Sequence, residues 1–144
     1  MKSYCPDVNV WIALAYDGHE HHQAAVAWFA RLHGEAVYFC RLTQLGLLRL
    51  LTIQSVMQAD VRTQAEAWRI YESFLQDAHV FFQSEPDAEQ VNAVFRRLTS
   101  GAGALSQQWS DAYLAAFARV AGLTLVTFDR GLFKRVPGGT VLLS

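Results

Sequence analysis

The chain has no long apolar run. None of its 144 residues falls in an uninterrupted apolar stretch approaching the roughly 18 that span a bilayer, and Arg49 breaks the richest one. Met1-Lys2-Ser3 leads straight into Tyr4-Cys5-Pro6 without an apolar core or small-residue cleavage site, so no secretory signal or membrane anchor is expected and a cytoplasmic location is. There are only two cysteines, Cys5 and Cys40, each in a short apolar run and without C-x-x-C spacing. They are expected as buried, reduced thiols, which sets aside a disulfide scaffold or a zinc finger. Proline is scarce, and no repeat or Pro/Gly-rich linker divides the chain, so residues 1–144 are expected to form one domain. Charge is scarce too: 17% of residues are charged, and 12 Lys+Arg against 13 Asp+Glu leave a net charge of −1. That excludes a strongly basic nucleic-acid-binding surface, although not a local basic patch. With 52% hydrophobic residues the chain has ample material for a core, and each carboxylate inside an apolar segment becomes conspicuous.

Short β-type runs alternate with helical patterns. The β-type runs are Ser3–Cys5, Ala36–Cys40, His79–Phe82, Thr124–Phe128 and Thr140–Leu143. Between them lie apolar stripes at helical spacing: His22, Ala25, Phe29 and Leu32; Trp68, Tyr71 and Leu75; Val91, Val94, Phe95 and Leu98; and Trp109, Ala112, Tyr113, Ala116, Phe117 and Val120. Leu45–Leu51 is apolar nearly all round, as for a helix buried on both sides or packed on a partner. Pro86 suits the first turn of a helix, Gly122 a helix stop, and Ser106 the cap of the helix that follows it. This alternation predicts an α/β fold in which a mainly parallel sheet is covered on both faces. In such sheets ligands gather beyond the carboxyl ends of the strands.

Carboxylates stand at those ends. Asp7 follows the first β-run in Tyr4-Cys5-Pro6-Asp7-Val8-Asn9, and Asp129 follows the fourth in Thr127-Phe128-Asp129-Arg130-Gly131. Asp111 lies near the start of the last long helical pattern, in Trp109-Ser110-Asp111-Ala112-Tyr113. After the second run comes Thr43-Gln44-Leu45, an amide where a fourth carboxylate would fit the series. Taken singly, Asp7 could cap the helix that begins at Val8, and Asp129 the turn through Arg130-Gly131. As a set on matching strand ends, three mutually repelling carboxylates point to a hard cation, Mg²⁺ or Mn²⁺, that keeps several waters and takes phosphate oxygens. Arg41, Arg49, Arg130, Lys134 and Arg135 follow the strand ends or the adjacent helix and could meet phosphates, Arg49 and Arg130 above all. Trp11 and Trp109 could stack on bases or belong to the core.

Asp7-Val-Asn9 after a first strand, Asp111-Ala-Tyr-Leu-Ala-Ala leading a helix, and Thr127-Phe-Asp129-Arg-Gly131 after a fourth strand resemble the PIN-domain ribonucleases, in particular the VapC-type toxins of bacterial toxin–antitoxin pairs. The stretch Cys40–Thr52 and the His-rich Asp17–His22 lead into a helix are similar to that family as well. The resemblance implies a three-layer α/β/α fold around a five-stranded sheet and a Mg²⁺- or Mn²⁺-dependent endoribonuclease. It implies that Asp7, Asp111 and Asp129 hold the metal, that Gln44 falls where the family usually carries Glu, and that Asn9 and Thr127 support the site. It also implies an RNA substrate, inhibition by a cognate VapB-type antitoxin, and a homodimer. Gln keeps a carbonyl oxygen but removes one negative charge, so a weakened metal site is expected if Gln44 joins it. A catalytically weakened RNA- or antitoxin-binding module is the alternative that Gln44 raises.

Other constellations argue for less. His19-Glu20-His21-His22 lacks the H-E-x-x-H spacing and is expected as an exposed loop and helix start. His33 and His79 are isolated, and Gly101-Ala-Gly103-Ala-Leu-Ser106 lacks the third glycine or following lysine of a phosphate cradle. A haloacid-dehalogenase-like phosphatase needs a second Asp where Asn9 stands, and the paired acids of a receiver-type signalling domain are missing.

Overall fold

The computed structural model describes residues 1–101 and 108–144. Ser106, and the Gly101–Ser106 loop from residue 102 onward, lie outside the described residues. Five strands form the sheet: β1 (Tyr4–Pro6), β2 (Val37–Phe39), β3 (Val80–Phe82), β4 (Thr124–Thr127) and β5 (Thr140–Leu142). Each falls within a residue or so of a β-type run, because strands buried on both faces appear as continuous β-branched and aromatic runs. All pairings are parallel in the order β3-β2-β1-β4-β5, with Tyr4 opposite both Val37 and Thr124. The order reverses at β1, so the crevice beyond the carboxyl ends of β1 and β4 is a topological switch point.

Helices cover both faces. On one lie α1 (Val8–Ala15), α2 (His22–Ala30), α3 (Arg41–Leu51), α4 (Gln54–Met57) and α5 (Gln64–Leu75), around a core of Trp11, Trp28, Phe39, Leu47, Leu51, Tyr71 and Val126. On the other lie α6 (Ala88–Thr99), α7 (Trp109–Ala121) and α8 (Arg130–Arg135), packed through Cys5, Cys40, Leu114, Phe117, Leu125 and Leu132, with Val91, Val94 and Ala116 beside them. Neighbouring Leu125 and Val126 point to opposite layers, as the two-residue period of a strand requires. The result is the three-layer α/β/α arrangement. Both cysteines are buried and free.

Local chemistry sets the helix ends. Asp7, Thr63, Asp87 and Asp129 cap α1, α5, α6 and α8 through their side-chain oxygens, and Thr63 forms a capping box with Glu66. Gly122 ends α7 in the left-handed region at φ 73°. Pro86 stands two residues before the first turn expected for it, because Asp87 takes the cap and its carboxylate accepts from the Gln90 N–H. The helices α4 and α8 carry no stripe in the sequence, since one or two turns are too short to show a period.

A candidate acidic active site

Asp7 owes its position to two competing demands. It is the first residue beyond β1 and also the N-cap of α1, where Oδ1 accepts from the Val10 N–H at 3.1 Å. Its Oδ2 accepts from the Thr127 hydroxyl at 2.5 Å, and the Thr127 Oγ1 in turn accepts from the Asp129 N–H at 2.9 Å. A chain of hydrogen bonds therefore ties the end of β1 to the end of β4. Only 4% of Asp7 is exposed. Burial pushes its carboxyl up to about 6 from an ordinary 3.8; hydrogen bonds from Thr127 and Val10 oppose this, and the nearby Asp111 charge adds to it.

Asp111, on the first turn of α7, lines the same cavity as Asp7. Burial and then the charge of Asp129 hold its carboxyl above the ordinary range, while Arg135 works against them. Asp129 is exposed and does not line that cavity, though its charge reaches Asp111, and its Oδ1 accepts from the Gly131 and Leu132 N–H groups at the start of α8. The cavity, about 390 Å³, is bounded by the N-terminal turns of α1 and α7 and by one side of α3 from Leu42 to Leu50. Its polar lining is Asp7, Asn9, Thr43, Arg49, Ser110 and Asp111. Thr43 and Ser110 are hydroxyls the sequence reading passed over, although Ser110 stands beside Asp111 in the chain. Gly46 is needed where α3 meets α1: a Cβ there would come within 2.7 Å of Val8 Cγ2.

The structure does not bring Gln44 to this lining. Gln44 is buried, but its Oε1 accepts from the Arg41 guanidinium and its side chain faces the Tyr71 hydroxyl. On α3, Thr43 and Gly46 face the cavity instead. Arg41 is further held over the Phe82 ring, 4.9 Å from its centroid. Arg135 donates to Gln108 and to the Leu98 carbonyl, whereas Arg49 lines the cavity and Arg130 and Lys134 are exposed. Trp11 belongs to the core, fully buried and stacked on Phe39 at 3.7 Å. Trp109, 54% exposed, stands two residues before Asp111. The histidine cluster does lead into a helix, α2 beginning at His22, but it is less open than expected: His19, His21 and His22 are all partly buried, and His22 Nδ1 donates to the Ala13 carbonyl in α1. A larger cavity of about 500 Å³ between α6, α7 and β5 is lined by Arg119, Arg135, Thr140 and otherwise apolar residues; among the described residues it has no carboxylate, and the Thr140 hydroxyl is spent on the Val136 carbonyl.

The donor set fits a hard divalent ion. Asp7 and Asp111 share a cavity, their ionised forms are disfavoured by burial and like charge, and a cation relieves both. Among the described residues, no three His, Cys, Asp or Glu side chains are gathered closely enough to hold one ion together. An ion on Asp7 and Asp111 would therefore complete its shell with water and substrate oxygens, as Mg²⁺ commonly does.

A family profile described as PIN domain matches residues 4–139. Ribonuclease VapC41 of Mycobacterium tuberculosis is 42% identical over 128 residues, which cover 85% of this chain and 86% of that relative. Among solved structures, Mycobacterium tuberculosis VapC20, described as a sarcin-ricin loop cleaving toxin, superposes with a TM-score of 0.69 at 17% identity, covering 92% of this chain and 94% of that one. A chain in a toxin–antitoxin complex from Klebsiella pneumoniae superposes with a TM-score of 0.55 at 17% identity, covering 96% of each chain. At such identities the two structures speak for the fold alone.

Proposed function

This chain belongs to the PIN-domain family, and from that premise we propose that it is a divalent-metal-dependent endoribonuclease, the toxin of a toxin–antitoxin pair. The observation that carries the reading is the cavity at the switch point, in which Asp7 and Asp111 share one wall system beside Asp129. Mg²⁺ or Mn²⁺ bound there would acidify a water and stabilise charge on the phosphate and the leaving oxygen. Asp7 would present the ion a carboxylate of fixed orientation, because the Val10 N–H and the Thr127 hydroxyl hold both of its oxygens. Among the described residues the Asp111 carboxylate accepts no side-chain or backbone hydrogen bond, so it would have an oxygen free to receive the proton of the attacking water. Asn9 lines the approach to Asp7, and Arg49 at the cavity meets a substrate phosphate with Arg130 beyond Asp129. Trp109 offers an exposed ring near Asp111 for a base.

The partners proposed are RNA and an antitoxin. Supporting the second, a groove of about 320 Å³ between α3 and α5 exposes Leu45 and Trp68, and it shares Leu45 and Arg49 with the acidic cavity. A polypeptide lying along it would cover the site. The same exposed side chains suit a homodimer contact. Among the described residues no helix is long and apolar enough to cross a membrane. The reading of a catalytically weakened module rested on Gln44, which is engaged with Arg41 outside the cavity lining.

The test is cleavage of single-stranded RNA by the purified chain with Mg²⁺ or Mn²⁺, beside Asp7→Asn and Asp111→Asn. Loss of a hundredfold or more in both variants is expected, and so is full inhibition by EDTA. Equal cleavage by all three proteins would remove the site, and chelator-resistant cleavage would remove the metal.

A further inference from the structure

The three histidines before α2 divide their work. His22 ties the turn to the end of α1, its Nδ1 donating to the Ala13 carbonyl at 2.7 Å. His19 Nδ1 accepts the His21 backbone N–H at 3.0 Å and so shapes the turn itself. The His21 ring does neither. It lies flat on Phe128, with centroids 4.3 Å apart and planes 11° from parallel, and its side chain is 40% exposed. Its polar neighbour is Glu20, itself 83% exposed, with Nε2 3.6 Å from the carboxylate.

The partner ring is placed at the chemistry. Phe128 stands between Thr127, which holds Asp7, and Asp129. One face of His21 is taken by Phe128, the His19 ring lies tilted beside it at 5.8 Å between centroids, and 40% of the His21 side chain stays exposed, an aromatic surface that one more ring can extend. On α7, Trp109 stands two residues before Asp111 with its ring edge-on to Phe95 and half exposed. Exposed aromatic surface therefore stands next in the chain to two of the carboxylates, Trp109 near Asp111 and the His21–Phe128 pair beside Asp129.

We propose that His21, stacked on Phe128, is a base-binding platform for the single-stranded RNA substrate, on the Asp129 side of the scissile phosphate. The proposal rests on the endoribonuclease reading above and deepens it. A base–aromatic stack is tolerant of sequence, so the platform adds affinity and register more than base selectivity. Because the platform lies beside the reacting phosphate, its loss falls on substrate binding, not on the chemical step.

The test uses single-stranded oligoribonucleotides carrying 2-aminopurine at successive positions, bound to the cleavage-deficient Asp7→Asn protein. In that background His21→Ala is expected to weaken binding by about five- to fiftyfold. It is also expected to abolish fluorescence quenching at one position only. His21→Phe recovers most of the loss, whereas His21→Leu, which fills the space without a flat π face, does not. In the otherwise wild-type enzyme, His21→Leu raises KM more than it lowers kcat, at an unchanged melting temperature. Equal affinity and quenching for His21→Leu and His21→Phe would overturn the platform while leaving the nuclease intact. So would a loss in kcat and melting temperature alone, which marks a merely structural stack. A wild-type chain that neither cleaves nor binds RNA would remove the nuclease reading, and the platform with it.

Discussion

Asp7 is held where an ionised carboxylate is costly, so replacing it with Asn should stabilise the metal-free protein at neutral pH. The residue is 4% exposed, and burial moves its carboxyl from 3.8 to about 6. At about 1.4 kcal/mol per pKa unit, ionised Asp7 costs the folded state about 3 kcal/mol relative to the unfolded chain. The folded state binds the proton more tightly than the unfolded one. Stability from this group is therefore fully present below its ordinary 3.8, declines as pH rises to about 6, and is flat above that. Asn keeps the cap, since its side-chain oxygen can accept from Val10, but it loses an acceptor for the Thr127 hydroxyl, a cost of about 1 kcal/mol. Asp7→Asn should then be more stable than wild type by about 2 kcal/mol at pH 7.5, and less stable by about 1 kcal/mol at pH 3. Urea denaturation in EDTA at several pH values measures this, and taking the difference between the two proteins cancels the titration of every other group. A difference that does not change with pH would refute the reasoning. So would an Asn variant less stable than wild type at pH 7.5. Millimolar Mg²⁺ should reverse the order by stabilising only the wild type.

Gly46→Ala should lower stability by about 1–3 kcal/mol, because its methyl would press on Val8 at the α1–α3 contact; thermal melting would show it, with a loss of cleavage as α1 shifts. Thr127→Val leaves Asp7 Oδ2 and the Asp129 N–H without their shared partner, at a cost of about 1–3 kcal/mol. Its expected signature is a fall in kcat at saturating Mg²⁺, and unchanged kcat would remove Thr127 from the site. Gln44→Glu should leave Mg²⁺ affinity within about twofold by calorimetric titration, because position 44 faces Arg41 and Tyr71. A tenfold tightening would mean that Gln44 reaches the ion after all.

The strands, and Asp7 and Asp129 just beyond two of them, were legible in the sequence for one physical reason. A parallel sheet buried on both faces makes its strands continuous apolar runs, and a charged residue at the end of such a run has to have a partner or a use. Gln44 shows where that logic stops. Successive residues on a helix point about 100° apart, so strand-end order cannot tell whether Thr43 or Gln44 faces the cleft. The azimuth of α3 is set by its contact with α1 through Gly46 and Val8, a long-range fit that no local spacing announces. His21 was illegible for a related reason. Its stacking partner Phe128 comes from the far end of the chain, and only the sheet order brings the two together.

Capping and metal binding looked like rival explanations for Asp7, and the structure shows why they need not compete. A carboxylate has two oxygens with more than one lone pair each, and the cap uses one direction of Oδ1 while Thr127 uses one of Oδ2. The cap also supplies the half-positive end of α1, which offsets part of the cost of burying the charge before any cation arrives. A carboxylate fixed this way cannot rotate away from its neighbours, so the repulsion from Asp111 is built in and is relieved by a cation. On the nuclease reading this settles how a chain of net charge −1 handles a polyanion. On that reading the ion would set the local charge at the cleft, and removing the divalent cation should weaken RNA binding far more than loss of Arg49 would dictate.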